Sequence, residues 1–281
     1  MRPCHSKPEI VIIHGMWCTG STLEPISNQF RAAGFMVHTP TLPLHKANLS
    51  DDEKARLGNV SMSDYARYLE RYIHNLQLNQ PPILIGHSMG GLLAQMLATR
   101  IATRALLLLA PAPAAGNNLI HFSSVTGTSF ILGNGKFWKK PNLPKCWHAN
   151  YCLFNRVPEQ EREKHQRNLV HESGRCFAEI VFWFLRRDKC TMLDLKRIHS
   201  PVMVMAGSRD RLVVPDVTRK VGRSFNNGEF RMYRGHGHMI FLEPGADKII
   251  MDMVEWVNNA IYKTMPGEIP MLGQTALDLA A

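Results

Sequence analysis

The chain has 281 residues, of which 45% are apolar and 20% charged, and its formal net charge is +10. These values fit one globular α/β domain that carries an insertion, and they exclude a largely disordered chain and a collagen-like repeat. No apolar run approaches the roughly 20 residues that cross a bilayer, and no signal-peptide pattern is present, so we expect a cytoplasmic protein without an integral membrane segment.

Six short apolar runs predict buried strands, and helical patterns separate them along the chain. The runs are residues 9–13, 35–39, 83–85, 105–110, 201–205 and 229–233. Strands that alternate with helices form a parallel sheet covered on both faces. The predicted fold class is therefore α/β, with a doubly wound, mostly parallel sheet.

Capping signals place several helices between these strands. Ser21 and Glu24 have the spacing of a capping box and predict a helix start. Residues 42–59 are polar and irregular, which predicts a loop, and Ser61 or Ser63 is expected to cap the next helix. A last helix is predicted over residues 246–262.

The alternation breaks between the fourth and fifth predicted strands. After Pro158, which suits the first turn of a helix, a highly charged helix is predicted to run to about His171. We interpret this region as an inserted helical lid. The predicted organisation is an α/β core (residues 1–111 and 195–264), the lid (residues 112–194) and a C-terminal tail (residues 265–281).

Much of the positive charge lies in this insertion. Residues 111–199 contain 14 Lys and Arg against 7 Asp and Glu. Such a segment can attract anionic substrates, nucleic acid or an anionic membrane surface. No helix-turn-helix or aromatic–glycine RNA motif accompanies it, so we expect a solvated basic face and no nucleic-acid partner.

The sequence Gly86-His87-Ser88-Met89-Gly90 matches the Gly-x-Ser-x-Gly pattern. An apolar strand precedes it and a helical pattern follows it, which predicts a sharp strand-to-helix turn with the serine at its apex. Glycines on both sides let the chain turn without collision. The serine oxygen would then face the N-terminus of the new helix, where free N–H groups favour negative charge.

A serine nucleophile needs a base, and the base needs an orienting acid. Asp210 follows the fifth strand and is favoured over Asp216, which looks like a first-turn helix residue. His238 follows the sixth strand and is favoured over its neighbour His236. The other candidate histidines, expected at the surface, are His45, His121, His148 and His171.

Ser88, Asp210 and His238 each follow a predicted strand, where the functional groups of parallel sheets gather. They form a candidate triad in which the histidine moves the serine proton and the aspartate orients the ring. An oxyanion needs two donors, for which we choose the backbone N–H groups of Met16 and Met89. Trp17 is expected to wall the pocket.

With these motifs the chain resembles the α/β-hydrolase superfamily, in its lid-bearing, esterase- or lipase-like branch. The resemblance covers four segments: the His-Gly loop (residues 11–17), the serine turn (83–91), the acid loop (205–215) and the histidine loop (235–244). It implies that Ser88 is the nucleophile, Asp210 the acid and His238 the base. Superfamily members with aspartate at the turn, such as haloalkane dehalogenases and epoxide hydrolases, do not match Ser88.

The expected function is hydrolysis of carboxylic esters with small to medium apolar acyl groups, and a small-molecule acyl substrate is the expected partner. The lid aromatics Phe130, Trp138, Trp147, Phe177, Trp183 and Phe184 favour an apolar pocket. Thioester hydrolysis, acyl transfer, cleavage of C–N or C–C bonds, and ligand binding without turnover stay open.

No cofactor is implied. The cysteines show no zinc-type spacing, so we expect free thiols and no metal at Cys4, Cys18, Cys146, Cys152, Cys176 and Cys190.

Overall fold

The computed structural model of the chain describes residues 7–116, 120–185 and 189–263. The predicted tail, residues 265–281, and Cys4 lie outside the described residues. Cys18, Cys146, Cys152 and Cys176 are free thiols.

Eight strands and ten α-helices form within the described residues. The strands are β1 (Ile10–Ile13), β2 (Val37–His38), β3 (Ile83–His87), β4 (Ala105–Leu109), β5 (Pro141–Asn142), β6 (Glu172–Ser173), β7 (Val202–Gly207) and β8 (Gly228–Tyr233). The helices are α1 (Glu24–Ala32), α2 (Asp51–Leu57), α3 (Met62–Asn75), α4 (Met89–Ala98), α5 (Phe122–Leu132), α6 (Cys146–Cys152), α7 (Glu159–Arg167), α8 (Gly174–Val181), α9 (Pro215–Arg223) and α10 (Ala246–Lys263).

Six of the strands form one parallel sheet in the order β2-β1-β3-β4-β7-β8. Every residue of β1, β3, β4 and β7 is buried, which explains their continuous apolar sequences. Alternate residues face opposite sides, so Ile10 and Ile12 join one core cluster while Val11 and Ile13 join the other. Helices α1 and α10 cover the first face, and α3, α4 and α9 cover the second.

The predicted start of α3 is confirmed, whereas that of α1 is wrong. The Asp64 N–H donates to Ser61 Oγ at 3.1 Å, and the Ser61 N–H donates back to Asp64 Oδ2 at 2.9 Å. Helix α1 begins only at Glu24, after a 3₁₀ turn over Gly20–Leu23. Pro25 explains this start, because proline fits the first turn of an α-helix.

Helix α2 lies inside residues 42–59, which the sequence predicted to be a loop. Ser50 and Glu53 form a capping box with distances of 3.2 and 2.9 Å. Leu57 is the one buried residue of this helix, so its sequence carries no apolar repeat that would reveal it.

The region between β4 and β7 contains α5 to α8, but it also contains a short antiparallel ladder of β5 and β6. The charged helix α7 ends at Arg167 and not at His171. Beyond it the chain joins other elements: the Val170 N–H donates to the Trp17 carbonyl at 2.8 Å, and Glu172 enters the ladder. The insertion is therefore tied to the core by backbone hydrogen bonds.

Candidate active site

The chain turns sharply between β3 and α4, and Ser88 is the residue at the turn. Its φ of +54° and ψ of −121° lie in a region that non-glycine residues rarely adopt, at a cost of about 1–3 kcal/mol. A Cβ on Gly86 would collide with the carbonyl oxygen of Gly90, and one on Gly90 would collide with that of Ile13. Both glycines are therefore required for the turn to pack against β1.

The backbone of Ser88 is held on several sides while its hydroxyl stays free. Its N–H donates to the Leu109 carbonyl at 2.9 Å, and its own carbonyl accepts from the N–H groups of Gly91 and Ala112, both at 2.9 Å. The hydroxyl has no hydrogen-bond partner among the described residues, and Ser88 is 6% exposed. The surroundings thus fix this residue without occupying its reactive oxygen.

Asp210 and His238 form a buried hydrogen-bonded pair. Oδ1 of Asp210 accepts from the N–H groups of Leu212 at 2.8 Å and Val213 at 3.0 Å, and Oδ2 lies 2.8 Å from Nδ1 of His238. Because a carboxylate can only accept, Nδ1 carries the proton. The ring nitrogen Nε2 is then the one able to take a proton from another group.

His238 lies beside the serine turn. Its carbonyl accepts from Nε2 of His87 at 3.1 Å, and the two ring centroids are 4.8 Å apart. Nε2 of His238 is buried and has no partner in the described part of the chain, so no hydrogen bond joins it to the Ser88 hydroxyl. Catalytic hydrogen bonds without substrate are often longer than in the working complex. The Ser88 hydroxyl at the turn and Nε2 of His238 beside it are therefore both without a hydrogen-bond partner in the described residues.

The rival residues are engaged elsewhere. Nδ1 of His236 lies 3.1 Å from Oε2 of Glu243, and Asp216 pairs at the surface with Arg219 at 2.7 Å. Asp210 therefore pairs with His238 and not with His236, and Asp216 contacts neither histidine.

Glu243 is a buried carboxyl beside this pair that the sequence did not single out. Its Oε2 accepts the Gly237 N–H at 2.8 Å, and its Oε1 is buried without a partner in the described chain. Burial raises the pKa of Glu243 to about 7, although the Gly237 hydrogen bond favours the ionised form. The histidine loop is thus held by a carboxyl that titrates near neutral pH.

The two predicted oxyanion donors belong to segments that meet at Ser88. A Cβ on Gly15 would lie 3.0 Å from Cβ of Ser88, so the loop carrying Met16 passes directly against the serine. Met89 is the first residue of α4, where the amide has no acceptor within the helix. Neither amide donates to another described residue.

The loop before Met16 is fixed by His14. The Leu42 N–H donates to Nε2 of His14 at 3.0 Å, so Nδ1 carries the proton and donates to the Gly15 carbonyl at 2.9 Å. Burial lowers the pKa of His14 to about 3, and the ring is therefore neutral.

His45, expected at the surface, is buried in a charged pair. Its Nε2 lies 2.9 Å from Oε2 of Glu172, and its Nδ1 donates to the Pro43 carbonyl at 3.2 Å. Burial alone would lower the pKa of His45, but the Glu172 carboxylate outweighs it and raises that pKa. Tyr65 donates to Oε1 of Glu172 at 2.9 Å, so the pair joins α3 to the insertion.

Trp17 is fully buried and connects the same two regions. Its Nε1–H donates to Oδ1 of Asn142 at 2.8 Å, and its ring lies 6.1 Å from that of Phe130. Trp17 has a φ of +63°, which sets the direction of the chain just after Met16. Asn142 in turn donates to the Glu172 carbonyl at 3.2 Å.

A cavity of about 260 Å³ opens beside Ser88. Its walls are almost entirely apolar and come from Met16, Trp17, Ser88, Met89, Ala112, Ile120, Ser124, Val125, Thr128, Leu132, Phe177, Ile180, Val181, Phe182, Leu212 and Val213. Ser124 donates its hydroxyl to the Leu212 carbonyl, and Thr128 donates to the Ser124 carbonyl, both at 2.7 Å. The Ser88 hydroxyl is therefore the uncommitted one in this wall.

The predicted aromatic lining is only partly present. Phe177 lines the cavity, and Phe130 packs against Trp17. Trp138, Trp147 and Phe184 are exposed instead. Val125 and Leu132 of α5 and Ile180 and Val181 of α8 add an aliphatic part of the wall, which the sequence did not distinguish from ordinary core positions.

Neither a membrane-spanning helix nor a cluster of metal-ligating side chains occurs within the described residues. No helix there is both long and apolar enough to cross a membrane. No group of three or more His, Cys, Asp or Glu side chains in the same residues is arranged to hold a metal ion.

The fold and the serine turn can now be compared with known protein families. Residues 10–247 match the model of the alpha/beta hydrolase family, and the chain belongs to this family. The predicted fold class is confirmed: a mostly parallel sheet of six strands with helices on both faces.

Solved structures share this fold at low sequence identity. A monoacylglycerol lipase from Paleococcus ferrophilus has a TM-score of 0.66 at 19% identity, covering 91% of this chain and 96% of its own. A methylesterase from Arabidopsis has a TM-score of 0.68 at 15% identity, covering 90% of this chain and all (100%) of its own.

One curated relative matches over a short stretch. A non-heme chloroperoxidase from Kitasatospora aureofaciens is 36% identical over 67 residues, which are 23% of this chain and 24% of that protein. The match therefore spans about a quarter of the relative.

Proposed function

We propose that the protein is a serine hydrolase that cleaves carboxylic esters of small to medium apolar acyl groups. One observation carries the proposal: Asp210 holds His238 with Nδ1 protonated, which leaves the unpartnered Nε2 beside a turn whose serine hydroxyl is also free. A nucleophile, a base and an orienting acid are the parts of an acyl-transfer site.

In the proposed reaction, Nε2 of His238 takes the proton of Ser88 as its oxygen attacks the ester carbonyl carbon. The N–H groups of Met16 and Met89 donate to the oxyanion that forms. His238 then protonates the leaving alcohol, and an acyl-enzyme remains on Ser88. Water, deprotonated by the same nitrogen, releases the acid and restores the serine.

The cavity supports the choice of substrate. It holds no charged side chain, and its volume of about 260 Å³ lies near the lower limit of small-molecule sites. Helices α5 and α8 supply one wall with Ser124, Thr128 and Phe177, so we propose that residues 112–194 serve as a lid over it. The similar structures include a lipase and a methylesterase, which agrees with ester chemistry.

Turnover of p-nitrophenyl esters of increasing acyl length tests the proposal, with matched thioesters and amides to separate the alternative reactions. We expect short and medium esters to be hydrolysed and Ser88→Ala to lose about 10⁶-fold in rate. His238→Gln is expected to lose activity, whereas the matched variant His236→Gln keeps most of it. Full ester turnover by Ser88→Ala would refute the assignment.

A further inference from the structure

Large apolar side chains are exposed mainly on one part of the molecule. Of twelve such side chains in the described residues, ten lie within residues 112–194. They include Phe122 at 82% and Leu185 at 71% exposure. Large exposed apolar patches mark sites of interaction with a protein or a membrane.

Some of these side chains line the cavity or a groove that shares a residue with it. Phe122, Val125 and Leu132 follow one another on a single face of α5 at spacings of three and seven, and Val125 and Leu132 also line the cavity. Phe182 lines both the cavity and a second apolar groove with Phe137, Trp138, Ala178 and Leu185. We call Phe122, Val125, Leu132, Trp138, Phe182 and Leu185 the rim patch.

Four of the six rim-patch residues lie in a chain segment without acidic residues. Residues 71–158 contain no Asp or Glu. The segment that carries Trp138 presents four exposed lysines, which are Lys136, Lys139, Lys140 and Lys145. Tryptophan and lysine side chains next to aliphatic ones are typical of protein surfaces that lie in the headgroup region of anionic lipid.

We propose that the rim patch docks the protein on the surface of an anionic lipid bilayer, with the cavity entrance facing the lipid. The docking itself does not depend on the proposed function. Its consequence does: if the protein is an esterase, the apolar acyl substrate reaches Ser88 from the lipid phase. The apolar side chains supply burial, and the lysines supply attraction to the headgroups. A protein partner or a second copy of the chain would fit the apolar part but leaves the four exposed lysines without a role.

Cosedimentation with lipid vesicles tests the docking independently of catalysis, using the full-length chain and its Ser88→Ala variant. Vesicles of phosphatidylcholine are compared with vesicles that also contain phosphatidylglycerol. We expect binding to the anionic vesicles, weaker binding to the neutral ones, and loss of binding in high salt. Hydrolysis of a water-soluble ester is measured in parallel.

Matched variants locate the surface. Lys139→Gln with Lys140→Gln is expected to lower binding to anionic vesicles about 10- to 30-fold, whereas the control pair Lys220→Gln with Lys248→Gln, on α9 and α10, has little effect. Trp138→Ser with Leu185→Ser is expected to lower it at least about tenfold, against Met36→Ser with Met251→Ser as the exposed control.

The outcomes separate the two proposals. Equal sedimentation with both vesicle types, no sedimentation, or rim variants that bind like the parent would overturn the docking while ester turnover stands. A stable dimer that Trp138→Ser disrupts, without vesicle binding, would assign the patch to self-association and overturn it too. Binding without hydrolysis of any ester would instead reject the proposed function.

Discussion

Replacing Asp210 by Asn removes the proposed orienting acid with little disturbance of the fold. Oδ1 accepts two backbone N–H groups, at 2.8 and 3.0 Å, and an asparagine oxygen can keep both. The new NH₂ group would then face Nδ1 of His238 across the present 2.8 Å contact. Two donors cannot bond, so the ring is expected to move its proton to Nε2, which can no longer accept the proton of Ser88.

The expected loss is about 10⁴-fold in kcat/KM, or about 5.4 kcal/mol, as for the same change in serine proteases. Steady-state ester hydrolysis measures it, and thermal unfolding checks that Tm changes little. The matched variant Asp216→Asn, at an exposed residue that pairs with Arg219, should keep parental activity. If Asp210→Asn stays within tenfold of the parent while folded, the orienting role of Asp210 is wrong.

The strained serine turn, the buried His45–Glu172 pair and the Glu243 carboxyl each lead to a stability prediction. Ser88→Gly relieves the strained turn and should raise Tm by about 2–4 °C while abolishing turnover, whereas Ser88→Ala keeps the strain; equal Tm values would contradict this. Glu172→Gln breaks the buried pair with His45 and should cost about 3–5 kcal/mol in urea unfolding. Because the pKa of His45 is raised above 6.5, the stability from this pair is complete below that pH and is lost as pH rises through the raised value, a dependence that Glu172→Gln should remove. For Glu243, whose pKa is raised from 4.5 to about 7, stability should fall as pH rises between those values, and Glu243→Gln should lack that fall. An unchanged pH profile in either variant would argue against the corresponding contact.

The serine turn was predictable because its signal is local. Two glycines, a preceding apolar strand and a following helix lie within a few residues of Ser88, and the structure forms the expected strand-turn-helix. Asp210 and His238 were predictable for a related reason. Each follows a strand of one parallel sheet, and the ends of such strands share one edge.

The buried network behind the loop that carries Met16 was not predictable. His45 and Glu172 are 127 positions apart, and neither belongs to a pattern that indicates burial. Their pairing depends on how the insertion returns to the core, which no local spacing encodes. Glu243 was missed for a similar reason, since its burial depends on the fold of the histidine loop.

Helix α2 shows a different failure. Its capping residues, Ser50 and Glu53, were present in the sequence, but its side chains face solvent and follow no apolar repeat. The exposed aromatics of the insertion, such as Trp138, were expected in the pocket because the sequence does not tell an inward from an outward side chain when helices are short.

Covalent labelling tests the central claim, that folding turns the Ser88 hydroxyl into a nucleophile. The full-length protein is treated with a fluorophosphonate, digested and examined by mass spectrometry, and the labelling rate is compared between the parent and His238→Gln. We expect one modified peptide, the one containing Ser88, and much slower labelling of the variant. Rapid labelling at another residue, or no labelling of a protein that hydrolyses esters, would contradict the claim.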